Sequence, residues 1–112
     1  MLKINLKRIL KLNFLRDIFM KEIKLGNRIN CVIHFAGLKS VKESIEYPDR
    51  YWDINVNGTI SLLKVMSENN CCNFVFSSSA TVYSFNELSP LNEKSKLGPN
   101  NPYGETKLAV EN

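Results

Sequence analysis

Residues 31–37 read CVIHFAG. Apolar and β-branched residues fill the run and a glycine closes it, the composition of a short buried strand. A second run of the same kind, CNFVFSSS at residues 72–79, ends in serines. Between the two, Pro48 to about Asn69 reads as a helix. Pro48 and Asp49 suit a first turn. Trp52, Val56, Ile60, Leu63 and Met66 then recur at spacings of four, four, three and three, and Asn69-Asn70 marks the stop. Gly58 inside that helix lowers its propensity by about 1 kcal/mol, which predicts close packing there. Strand, crossover helix and strand predict parallel pairing in a layered α/β fold, with strands near 31–36 and 73–78 side by side. Ligands of such sheets bind beyond the carboxyl ends of the strands, here at FAGLK and SSSAT.

Outward from this core the signals weaken. Residues 1–16 contain no acid, and their apolar residues fit both a strand period and a helix period. A strand and turn with exposed lysines is the expectation. A membrane-surface segment or a transit peptide fits less well, since the stretch has no serine and little arginine. Residues 17–25 predict a helix that Gly26-Asn27 ends. KSVKESIEYP reads as polar connection with a short helical turn. Residues 84–101 are rich in Ser, Asn, Pro and Gly and predict a long loop, after which Pro102 opens a last helix.

The chain has 112 residues, 44% hydrophobic and 23% charged, which sets one globular domain as the upper bound. Its net charge of +4 is uneven. Residues 1–30 hold eight Lys or Arg against two acids, and the remainder seven against nine. No aromatic platform accompanies the basic end, so nucleic acid is not expected as a partner. No apolar run approaches the ~20 residues of a membrane helix. Cys31, Cys71 and Cys72 are odd in number and two are adjacent, which suits neither a disulfide framework nor a metal site. Free thiols in a reducing cytoplasm are expected. His34, the one histidine, reads as a packed strand residue, and Tyr51 and Trp52 as core or helix-packing residues.

The chemistry sits in NPYGETK, residues 101–107. Tyr103 and Lys107 are four apart and share a helix face. A lysine ammonium within ~4–6 Å favours a phenolate, and the pair can then act as a general base near neutral pH. Gly104 lets a neighbour approach the helix start. Alone, this spacing is a weak signal and is most simply an exposed helix pair. A serine at the end of an upstream parallel strand changes the reading, because it can hydrogen-bond the same substrate hydroxyl that the tyrosine deprotonates.

The Ser…Tyr-x-x-x-Lys order resembles the short-chain dehydrogenase/reductase superfamily in its extended, nucleotide-sugar branch. VIHFAGLKSVKES, NVNGT, FVFSSSATVY and NPYGETKLAVE together are similar to the UDP-glucose 4-epimerase family, over about residues 17–112. The resemblance implies an NAD-dependent isomerase that interconverts UDP-glucose and UDP-galactose in galactose metabolism. It implies Tyr103 as base, Lys107 on the nicotinamide ribose, Ser79 on the sugar hydroxyl at C4 and Thr81 at the substrate. It places Phe35, Ala36, Gly37, Leu38 and Lys39 along the NAD site, with Asn55 on the cofactor side, and it implies a homodimer. The 4,6-dehydratases of the same branch carry an Asp-Glu pair where this chain has Ala80-Thr81, which favours an epimerase.

The expected fold is therefore a partial Rossmann-like, doubly wound parallel sheet, lacking the first βαβ unit and the substrate domain. The expected division is a divergent basic segment at 1–16 and an epimerase-like part at 17–112. No G-x-x-G-x-x-G turn occurs, and the acid expected on the adenosine ribose is not identifiable. The chain looks like the middle third of an epimerase, expected to be inactive by itself. The alternatives are a truncated, silent remnant or another NAD-dependent nucleotide-sugar epimerase.

Overall fold

The computed structural model describes residues 29–112. The basic stretch 1–16 and the helix predicted at 17–25 lie outside the described residues. Strand β1 (Cys31–His34) pairs in parallel with β2 (Asn73–Phe76), Cys31 opposite Asn73 and His34 opposite Phe76. The parallel pairing is as expected, but both strands stop two residues early. Ser77 N still donates to His34 O at 3.1 Å. Beyond that the first strand leaves the ladder, because Gly37 turns it with φ +148° and Leu38 gives both of its backbone groups to Asn55.

The crossover is helical from Pro48 to Glu68, in three parts: α2 (Pro48–Tyr51), a π-helical segment (Trp52–Asn57) and α3 (Gly58–Glu68). Gly58 N–H bonds Asp53 O five residues back, the π pattern. The predicted apolar stripe is not the buried face. Trp52, Ile60 and Leu63 are 40%, 45% and 41% exposed, and of that set only Met66 is buried. The inward face is Tyr51, Ile54, Asn55, Thr59, Leu62 and Met66. The reason is that Asn55 and Thr59 find hydrogen-bond partners inside, which a count of apolar residues cannot register. Trp52, expected as a packing residue, thus stands at the surface, while Tyr51 is fully buried.

Leu62, Met66 and Cys71 form an apolar cluster against Ile29, Val32, Val65 and Phe74, at the amino-terminal ends of the strands. Burying a side chain such as Leu62 stabilises by about 1.5–3 kcal/mol. Asn69 closes α3, and Asn70 takes φ 53°, a conformation asparagine tolerates.

The polar connection after β1 forms a helix of its own, α1 (Val41–Glu46), capped by Ser40 Oγ, which accepts from Glu43 N at 3.2 Å. A 3₁₀ turn, Ala80–Val82, follows β2. The long loop is pinched at its base by Ser84 N donating to Lys96 O and Gly98 N to Val82 O, 2.9 and 3.0 Å. The last helix, α4 (Pro102–Glu111), starts where Asn101 Oδ1 accepts from Gly104 N at 2.9 Å. No helix among the described residues is long and apolar enough to cross a membrane.

Candidate active site

Helix α4 packs against α1, α2, the π-helical segment and the 3₁₀ turn, and Gly104 lets it come close to that turn. A Cβ there would stand 2.5 Å from Thr81 O and 2.9 Å from Pro99 Cβ. The close approach expected of Gly104 is thus to the 3₁₀ turn that follows Ser79. The Lys107 side chain runs inward from α4, and its ammonium donates to Ser77 O at 3.0 Å. It stands 5.8 Å from the centre of the Tyr103 ring, so the two residues share a face as their spacing predicted. Burial holds the Lys107 ammonium below its ordinary value. The Tyr103 ring meets the Tyr51 ring edge-on, centroids 6.4 Å apart. Tyr51 in turn donates its hydroxyl to Glu43 Oε2 at 2.9 Å and accepts from Ser40 N at 3.0 Å. Burial first, then the bond to Glu43, pushes the Tyr51 phenol up, so this tyrosine stays protonated as a wall.

Ser79 caps the 3₁₀ turn. Its Oγ accepts from Thr81 N at 3.3 Å and pairs with Thr81 Oγ1 at 2.9 Å. These two hydroxyls are adjacent and half-buried. A cleft of about 280 Å³ adjoins the turn, lined by Ala80, Thr81, Tyr83, Phe85 and Asn100 among others. Thr81 borders it; Tyr103 and Lys107 do not.

The FAGLK segment is tied down from below. Asn55 Oδ1 accepts from Leu38 N at 2.8 Å, and Asn55 Nδ2 donates to Leu38 O at 3.0 Å and to Thr106 Oγ1 at 3.2 Å. Both amide hydrogens are therefore used. Asn55 acts as a clamp on the loop that carries Phe35, Ala36, Gly37 and Lys39, and it links that loop to α4. Gly37 is required twice over, by φ +148° and because a Cβ would meet Asn55 Oδ1 at 2.8 Å. Phe35 and Lys39 are exposed.

The same network reaches β1. Thr59 Oγ1 donates to Asn55 O at 2.6 Å, so the His34 Nε2 atom 3.0 Å from that hydroxyl is the donor. His34 is packed in the strand, as its place in the sequence suggested, beside Phe74 and Phe76. Burial, and then the charge of Lys107, lowers its imidazole to about 4. His34 is therefore neutral at pH 7 and a weak base.

Sequence reasoning missed Thr106, which is fully buried and donates to Tyr103 O at 2.7 Å. It also missed Asn101 as the cap, although Asn directly before Pro is a legible helix start.

Residues 3–112 match the NAD dependent epimerase/dehydratase family. The chain belongs to that family. Among its relatives, UDP-glucose 4-epimerase 2 of Oryza sativa subsp. japonica is 52% identical over 92 residues, covering 82% of this chain and 22% of the relative. UDP-glucose 4-epimerase of Pisum sativum is 55% identical over 92 residues, covering 82% and 26%. Among solved structures, UDP-glucose 4-epimerase of Bifidobacterium longum in complex with NAD+ and UDP superposes with a TM-score of 0.73 at 44% identity, over 87% of this chain and 28% of that one. UDP-glucose-4-epimerase of Stenotrophomonas maltophila, with bound NAD and formylated UDP-arabinopyranose, gives 0.71 at 47% identity, over 74% and 25%. The chain thus spans about a quarter of the length of the epimerase/dehydratase family members it matches. These neighbours are Rossmann-like epimerases, and the two-stranded parallel sheet with its crossover helix is part of that α/β fold.

Proposed function

We propose that this chain carries the proton-transfer segment of an NAD-dependent UDP-glucose 4-epimerase, interconverting UDP-glucose and UDP-galactose in galactose metabolism. The observation that carries the reading is the buried Lys107 ammonium, fixed on Ser77 O at the end of β2 and 5.8 Å from the Tyr103 ring.

NAD fits the residues present. The FAGLK turn leaves β1 at its carboxyl end with Gly37 at φ +148° and Leu38 clamped by Asn55, and the Lys107 ammonium stands on Ser77 O at the end of the neighbouring strand. Phe35, Ala36, Gly37, Leu38 and Lys39 would line the cofactor, and Lys107 and Tyr103 would face its nicotinamide ribose. NAD, when bound, would supply a hydride acceptor and donor for that carbon, so that no net oxidation results.

The chain's own part is the proton. Ser79 and Thr81 would hold the C4 hydroxyl of the sugar, and the phenolate of Tyr103 would take its proton as the 4-keto sugar forms. Tyr103 would give that proton back when the ketone is reduced on its other face. Lys107 steadies the charge through both steps. Asn55 and Thr106 bind the cofactor loop to α4, so the two halves of the site keep one spacing, the kind of positioning that is worth ~7–11 kcal/mol of barrier. The exposed stripe of Trp52, Ile60 and Leu63 supports a homodimer through this helix, and a cytoplasmic setting agrees with three free thiols.

The test is a chimera in which residues 29–112 replace the matching segment of the Pisum sativum relative. Coupled assays should show conversion of UDP-galactose to UDP-glucose. Conversion of UDP-N-acetyl sugars alone would move the assignment to another nucleotide-sugar epimerase. No conversion of either, in a folded chimera that binds NAD, would make this segment a silent remnant.

A further inference from the structure

The Lys107 side chain is only 6% exposed. An ammonium taken out of water needs partners. Among the described residues its one hydrogen bond goes to Ser77 O. Among the described residues no Asp or Glu pairs with it, and the recorded ion pair joins Arg50 to Glu43. The second partner is a ring. Lys107 Nζ stands 4.7 Å from the centre of the Phe76 ring, inside the ~6 Å at which an aromatic face attracts a cation. That ring is itself held, stacked on Phe74 at 6.2 Å and 13° and on His34 at 5.8 Å and 30°. Phe76 and Ser77 are consecutive, so the last residue of β2 and the one after it grip the ammonium by a ring face and a carbonyl.

The geometry points to Phe76 as a positioning residue: its ring face holds the Lys107 ammonium charged and in place against the Tyr103 ring. The contact is a feature of the fold, while its catalytic purpose rests on the function proposed above. Other charged groups nearby do not substitute for it. His34 on β1, held to about 4, is neutral throughout the titration of Lys107. Tyr103 is on α4 itself. Glu43 on α1 is taken by Tyr51 and Arg50. Asp53 on the π segment accepts from Asn57 at the surface. Asp49 on α2, Glu105 on α4 and Lys39 are exposed, and the 3₁₀ turn carries no titratable side chain.

The test is an NMR titration of the Lys107 side chain in the 112-residue chain, with Lys107→Met to identify its signal. Position 76 is filled in turn with Phe, with phenylalanines of increasing ring fluorination, with Trp and with Leu. Fluorination keeps the ring shape and drains its face of charge. The titration midpoint should fall stepwise with fluorination, stay put or rise in Phe76→Trp, and fall by about half a unit to about one unit in Phe76→Leu. A midpoint unchanged across the fluorinated rings overturns the proposal, and those variants answer the question even if Phe76→Leu does not fold. The two readings separate cleanly. A midpoint that follows the ring, in a chimera whose turnover ignores Tyr103, keeps the cradle and removes its catalytic purpose. A fixed midpoint with Tyr103-dependent turnover does the reverse.

Discussion

The helical crossover between the strands ends in two different chemistries. At the carboxyl end of α3, Leu62 and Met66 close with Cys71 over Val32 and Phe74, held by apolar contact. Toward its start, Asn55 and Thr59 are just as buried but are held by hydrogen bonds to Leu38, Thr106 and His34. Apolar contact tolerates rearrangement if volume is kept. A buried polar network does not, since each member left without its partner is penalised. The amino ends of the strands are therefore built for stability. The carboxyl ends spend stability on fixed geometry, and it is there that the Lys107 ammonium stands on Ser77 O beside the Tyr103 ring.

Mutations at the two ends should sort accordingly. The largest loss belongs to the apolar end. Leu62→Ala should lower the unfolding free energy by about 3 kcal/mol, measured by urea denaturation, while turnover per folded chimera stays the same. A stability loss under ~1 kcal/mol would show that the cluster is not the main support.

Acid should act at the other end, and by a comparable amount. The folded His34 imidazole titrates near 4 against an ordinary 6.5. Between those values the unfolded chain binds a proton that the folded chain refuses. His34 therefore contributes stability that is whole above pH 6.5 and is lost as pH falls toward 4, by up to about 3 kcal/mol. Denaturation of His34→Gln across that range should give a flatter curve than the parent; parallel curves would remove His34 from the network.

Asn55→Ala strands the Leu38 N–H and unhooks Thr106. A loss of about 2 kcal/mol is expected, together with weaker NAD binding by the chimera in calorimetry, which Leu62→Ala should leave intact. The smallest effect has the opposite sign. Lys107→Met removes a buried cation and should raise stability by about 1 kcal/mol while abolishing turnover. A destabilised Lys107→Met would mean that the ammonium serves the fold as well as the site.

The same division explains which parts of the fold are legible in the sequence. CVIHFAG and CNFVFSSS are legible as strands because period and composition are local properties, and their parallel pairing follows from the helix between them. Tyr103 and Lys107 share a face because four residues make about one helical turn. The inward face of the crossover was not legible. Asn55 and Thr59 displace Ile60 and Leu63 from the interior through partners as far away as Thr106, and a choice among distant partners leaves no periodic trace. The role of Phe76 was hidden for the same reason: in the sequence it is one more apolar strand residue, and only the fold puts Lys107 over its ring.

The central claim is that Tyr103, steadied by Lys107, moves the proton. Tyr103→Phe in the chimera tests it most directly, because it removes one oxygen and leaves the ring against Tyr51. The measurement is kcat for UDP-galactose conversion, taken beside the NAD dissociation constant and the melting temperature. The account predicts a fall in kcat of about 10²–10⁴-fold, with the melting temperature unchanged and NAD binding weakened by far less than kcat falls. A Tyr103→Phe chimera that still turns over within a few-fold of its parent would contradict it.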